Sequence, residues 1–166
     1  MKMMKKRYSV AGYVKLAKLW EKNKKQALEY HREYYSEKYL KIENYMLYDV
    51  CVDITGQKQI YKRPEMLRLL KDCAEGKVNC IASQTKAYLV ANGQEFCYFL
   101  KLVWELNPEM EVITEDDNYH IDTIQNAEHQ KQALKKMSDD FIRLDINAYE
   151  EWKKKVRAGM EAAGGK

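Results

Sequence analysis

Short apolar runs alternate along the chain with longer stretches in which apolar residues recur every three or four positions. Tyr8–Leu16 (YSVAGYVKL) has the valine, tyrosine and small residues of a strand. Over 18–38, Leu19, Gln26 with Ala27, Tyr30 and Tyr34 recur at helical spacing and predict a helix. Tyr45–Ile54 (YMLYDVCVDI) predicts a second strand, broken by Thr55-Gly56. Pro64 opens the next helix, whose apolar side is Met66, Leu67, Leu69 and Leu70 and whose end is Gly76. The run 78–82 is continuously apolar, as in a strand buried on both faces.

The stretch 83–91 reads as irregular, and 92–106 as a helix stopped by Asn107-Pro108. A fourth strand is predicted over 110–114, an acidic loop over 115–122 and a long helix over 124–144. Asn147 with Glu150 resembles a capping box for a final helix over 148–163, before Gly164 and Gly165. Strands alternating with helices predict a three-layer α/β fold around a mostly parallel sheet of four or five strands, ending in a long helix. The expected division is an α/β unit over 1–123 and a helical segment over 124–166, part of the same domain or an oligomerisation arm.

Composition narrows the class. With 46% hydrophobic and 33% charged residues the balance is globular, and no apolar run is long enough for a membrane span. The basic start, Met1 to Arg7, leads into no signal-peptide apolar stretch, so a cytoplasmic protein with no membrane partner is expected. Cys51, Cys73, Cys80 and Cys97 form no CxxC pair, and Cys51 and Cys80 sit in apolar runs as small hydrophobes. The net charge of +4 permits nucleic-acid contact without requiring it.

Tests for chemistry return little. Neither GxGxxG nor GxxxxGK[ST] occurs, and neither does HExxH. His120 and His129, with Asp122 and Glu128 nearby, match no metal signature, so no metal and no cofactor is expected. Asp116 and Asp117 read as a solvated loop. Tyr30, Tyr34, Tyr35 and Tyr39, among Lys22, Lys24, Lys25 and Lys38, either pack the helix on the sheet or stack on exposed bases. Ala127, Gln130, Leu134, Met137, Phe141 and Leu144 form a heptad-like seam, for packing on the domain or for pairing with a partner.

Several segments, in order, resemble the resolvase/invertase (serine site-specific recombinase) catalytic domain. Ala11 to Ala17 (AGYVKLA) is similar to the family's A-x-Y-x-R-V-S, and Gln26 stands at its E-N-Q. Thr55-Gly56, Arg63-Pro64 with Leu69-Leu70, Glu75-Gly76-Lys77-Val78 and Ile121-Asp122-Thr123 are similar to its S-G, R-P-x-x-x-x-L-L, G-K-I-D and I-D-T. The resemblance implies an origin on a mobile element. It also implies losses. The family's nucleophilic serine falls on Ala17, its strand arginine on Lys15, the acid of its D-R-P on Lys62, and two further arginines on Tyr88 and Ala91; Gln26, Arg63 and Asn92 match. A methyl group has no lone pair with which to attack phosphorus.

The expected function is therefore a catalytically inactive, accessory or regulatory DNA-recombination subunit. It would associate with itself or with an active serine recombinase through Ala127, Leu134, Met137, Phe141 and Leu144. It would touch DNA phosphates through Lys15, Lys62, Arg63, Lys86, Lys153 and Lys154. Two alternatives stand beside it: an active DNA-cleaving recombinase with its nucleophile moved to Ser83 or Thr85, and an interaction domain with no DNA role.

Overall fold

The computed structural model describes residues 6–163, so most of the basic start and the closing glycines lie outside the described residues. Five strands form one sheet in the order β2-β1-β3-β4-β5. They are β1 (Tyr8–Leu16), β2 (Tyr45–Ile54), β3 (Cys80–Ser83), β4 (Glu111–Thr114) and β5 (Ile121–Asp122). The first four are parallel, and β5 runs antiparallel to β4. The helices are α1 (Lys24–Tyr39), α2 (Pro64–Ala74), α3 (Lys86–Leu89, one turn), α4 (Gly93–Leu106), α5 (Gln132–Leu144) and α6 (Ile146–Ala163).

Period-two alternation divides β1 between two cores. Val10 and Val14 face α1, where they meet Tyr35, Tyr39, Val50 and Val52. Ala11 and Tyr13 face the other way, into a larger core with residues of α2, α4, α5 and α6. Gly12 lies on the α1 face under the buried Tyr35 ring. A Cβ at Gly12 would stand 2.8 Å from Tyr35 Cδ2. Tyr35 in turn stacks on Tyr39, with ring planes 6° apart. Helix α2 ends in a Schellman arrangement on Gly76 (φ 78°): Gly76 N–H donates to Cys73 O and Lys77 N–H to Asp72 O, so the glycine's left-handed conformation closes the helix. All four cysteines are buried and unpaired. Among the described residues no helix is long and apolar enough to cross a membrane.

Five expectations change. Residues Lys18–Asn23 form a 3-10 segment, so the α-helix starts only at Lys24 and its phase shifts. The buried stripe is Ala27, His31, Tyr35 and Tyr39; Leu19, Trp20 and Tyr30 are exposed, and Tyr34 is half-buried. The stretch 83–91 contains the turn of α3, and the acidic loop contains β5. The helix expected over 124–144 is not continuous: a π-helical turn, Ala127–Lys131, precedes α5. Gln130 explains the interruption, because its side chain is bound to β5, accepting from Asp122 N–H (2.7 Å) and donating to His120 O (3.0 Å). The last helix begins at Ile146, and Asp145 rather than Asn147 satisfies its first turn, accepting from Ala148 N–H at 3.1 Å.

Replacing Gly12 with alanine is expected to lower stability by about 1–3 kcal/mol, as over-packing does, because the stacked Tyr35 ring has nowhere to retreat. Urea denaturation checks this through a lower midpoint at unchanged slope.

Candidate functional site

Parallel sheets present ligand sites at the carboxyl ends of their strands. Here β1 ends at Leu16 and β3 at Ser83, and the segments after β2 and β3 meet beside them. The side chain that joins them is Arg63, 1% exposed. Its guanidinium donates to the carbonyls of Gln57 (3.4 Å), Lys58 (2.7 Å), Tyr88 (2.8 Å) and Leu89 (2.9 Å). A planar five-donor fork suits this task; an ammonium does not. Arg63, expected to meet DNA phosphate, is thus turned inward and its donors are used on backbone.

Asp53, near the end of β2, is the second organiser, and sequence reading missed it. Arg63 precedes Pro64 and cannot cap α2 with its own side chain. The buried Asp53 carboxylate does so from the sheet face beneath the helix, accepting from Glu65 N–H and Met66 N–H, both at 2.9 Å. It also accepts from Tyr13 Oη at 2.8 Å. Burial, then the Asp53 charge, push the Tyr13 phenol far above its usual range. Glu95 plays a similar part at α4. Its carboxylate accepts from Ile60 N–H (3.1 Å), Ala91 N–H (3.2 Å) and Trp152 Nε1–H (3.3 Å). Asn92 caps the same helix, accepting from Glu95 N–H at 2.8 Å.

The remaining positions separate into groups. Lys15 is half-buried at the end of β1; burial, then the positive charge of Arg63, lower its pKa, with Asp53 opposing. Ala17 is exposed where the 3-10 segment starts, and its carbonyl accepts from Trp20 N–H at 3.0 Å. Lys62 is exposed and makes no ion pair among the described residues. Ala91 is exposed, and Tyr88 is half-buried. Gln26 and Tyr88 line one cleft of about 420 Å³ with Leu16, Trp20, Ala27, Tyr30 and His31.

Three other lysines are already engaged. Lys86 pairs with Asp116 at 3.0 Å and donates to Tyr119 O. Lys153 pairs with Glu105 and Glu150, both at 3.3 Å, and Lys154 lies 4.0 Å from Glu151. Their neighbour Lys155 instead lies over the Tyr61 ring, 5.2 Å from its centroid, and shares a groove with Lys58, Ala91 and Asn92.

The two alternative hydroxyls are also committed. Ser83 is fully buried and donates to Tyr13 O at 2.6 Å. Thr85 donates to Asp116 at 2.7 Å and accepts from Ala87 N–H.

The seam on α5 is split. Leu134 is buried, Phe141 packs partly on the core, and Met137 (41%) and Leu144 (81%) are exposed. The buried face is Leu134, Ser138 and Ile142; Ala127 lies exposed in the π-helical turn.

No family model matches the sequence, and no curated protein does. Solved structures do match. The N-terminal catalytic domain of TP901-1 integrase aligns at TM-score 0.56 and 16% identity over 86% of this chain and 96% of that one. The C-terminal catalytic domain of ISC1926 TnpA, an IS607-like serine recombinase, aligns at TM-score 0.51 and 17% identity, over 72% and 75%. A resolvase family site-specific recombinase from Streptococcus pneumoniae aligns at TM-score 0.51 and 13% identity, over 91% and 99%.

Arg63→Ala is expected to cost about 3 kcal/mol or more, since each orphaned buried acceptor costs about 1–3 kcal/mol; Arg63→Lys should recover only part of it. Chemical denaturation of both variants checks the order.

Asp116 gives a pH test. Burial raises its pKa, but hydrogen bonds from Thr85 and Lys86 and the Lys86 charge outweigh it and leave the carboxyl at about 2. A depressed carboxyl stabilises the fold fully above its unfolded pKa of about 3.9 and loses that contribution as pH falls toward 2. Asp116→Asn should therefore flatten the stability profile between about pH 4 and 2, read from urea midpoints across that window.

By its likeness to these structures, the chain has the fold of the serine recombinase catalytic domain.

Proposed function

We propose that this chain is a serine-recombinase-like subunit of a mobile element that contacts DNA without forming a covalent bond to it, acting in the cytoplasm beside an active recombinase or a second copy of itself. The observation that carries this reading is the chemistry at the end of β1. Ala17 offers a methyl group, and the two alternative hydroxyls, Ser83 and Thr85, are held by Tyr13 O and Asp116. Phosphoryl transfer also needs cations against the transition-state charge. At the positions aligned with the family's arginines stand Tyr88 and Ala91, and Arg63 spends its donors on carbonyls.

Backbone contact asks less of a surface. Lys15, Lys58, Lys62 and Lys155 have no carboxylate partner among the described residues, and Lys58 shares a groove with Lys155. Lysines so placed neutralise phosphates, with affinity that falls as salt rises. Association would use the outer face of α5, where Met137 and Leu144 are one heptad apart with Phe141 between them.

Incubation with supercoiled DNA followed by denaturation should leave no covalent adduct. An adduct that disappears in Ser83→Ala or Thr85→Val would overturn the reading in favour of a relocated nucleophile. Duplex binding should weaken steeply between about 50 and 200 mM salt. Salt-independent binding would contradict phosphate contact, and no binding would favour an interaction domain with no DNA role. Met137→Glu and Leu144→Glu should abolish association without unfolding the chain, since both side chains are exposed. Leu134→Glu would not separate the two effects, because Leu134 is core. Sedimentation velocity reads the result, and an unchanged oligomer size would remove α5 from the account.

A further inference from the structure

The α1 side of the cleft has a composition that its fold does not need. Trp20 (42% exposed) and Tyr30 (61% exposed) stand out from the domain, and Leu16, Ala27 and Tyr88 complete an apolar wall with them. Tyr30 packs edge-on against His31, whose buried Nδ1 has no hydrogen-bond partner among the described residues. His31 is itself in the cleft wall and only 7% exposed. Large aromatic rings in water beside an orphaned buried nitrogen are costly features for a merely structural surface.

Charge says what the cleft would meet. Over 15–32 lie Lys15, Lys18, Lys22, Lys24, Lys25 and Arg32 against Glu21 and Glu29, a formal +4 that equals the excess of the whole chain. Among the described residues none of these six cations has an ion-pair partner. Elsewhere Arg68, Lys86, Lys131 and Lys153 are all paired with carboxylates. A ligand that is polyanionic and also carries flat apolar faces is a nucleic-acid strand with its bases unstacked.

We infer that the cleft between the end of β1, the start of α1 and Tyr88 takes an unstacked base of single-stranded DNA, stacked on Trp20 and Tyr30, while the lysines of 15–25 hold the flanking phosphates. The inference rests on the DNA-contact reading above and deepens it: Tyr88, aligned with one of the family's arginines, now supplies apolar surface. A volume of about 420 Å³ is within the range of small-ligand clefts, roughly 300–1,000 Å³. Gln26, exposed in the same cleft wall, supplies an amide donor and acceptor for a base edge.

The test compares a short oligothymidine strand, an abasic strand of equal length and a duplex, at about 50 and 200 mM salt. Trp104 and Trp152 are buried, but Trp152 lines the Lys58–Lys155 groove, so the quenching that Trp20→Ala removes is the part that reports Trp20. The full chain should bind oligothymidine with quenching and bind the abasic strand roughly 5-fold or more weakly. Trp20→Ala and Tyr30→Ala should each weaken oligothymidine binding by roughly 5- to 150-fold, the range for one stacked base, and leave duplex binding and circular dichroism unchanged. If the abasic strand binds as tightly, or both variants match the parent, the base-stacking inference falls and the backbone-contact reading stands. If neither strand nor duplex binds, both fall together.

Discussion

One guanidinium holds the functional end of this domain in shape. Arg63 collects carbonyls from two segments, 57–58 and 88–89, and Glu95 ties the same two loops through Ile60 and Ala91. A buried cation is tolerable only when its donors are satisfied and charge of the opposite sign is near. Backbone carbonyls provide the first condition. Asp53, which also caps α2 and receives the Tyr13 hydroxyl, provides the second in the same neighbourhood. Strand ends, helix starts and the cleft wall at Tyr88 are thus consequences of one charged group placed where water cannot reach it.

That arrangement separates architecture from chemistry. A fold that performs phosphoryl transfer must leave its cations facing solvent and substrate. In this chain the matched arginine faces inward, while the outward positions are lysine, alanine and tyrosine. The remaining surface combines unpaired ammonium groups with exposed rings, the composition on which the proposed DNA contact rests.

Much of the fold was legible from the chain alone, because its signals are local. Pro64 at the start of α2 and Gly76 at its end need only their own backbone preferences. Continuously apolar strands announce a sheet covered on both faces. What escaped were effects of distance. The phase of α1 depends on six residues of 3-10 helix before it, so Tyr34 was favoured over the buried Tyr35. Gln130 falls at heptad spacing in the sequence, but its side chain binds β5. Asp53 reads as one polar residue in a strand until α2 arrives above it. Within the site, Ala17 and Lys15 were legible as identities, but the inward turn of Arg63 was not, since its partners lie up to 26 residues away.

On the proposed reading, nucleic acid meets this domain at the end of β1. Amide chemical-shift mapping of the isotope-labelled chain titrated with duplex DNA tests it most directly. The account predicts shifts concentrated at Lys15, Ala17, Lys58 and Lys62, with β5 and the groove around Asp122 unmoved. Shifts confined to that groove, which carries Glu115, Asp116, Asp117 and Asp122, or no shifts at all, would contradict it.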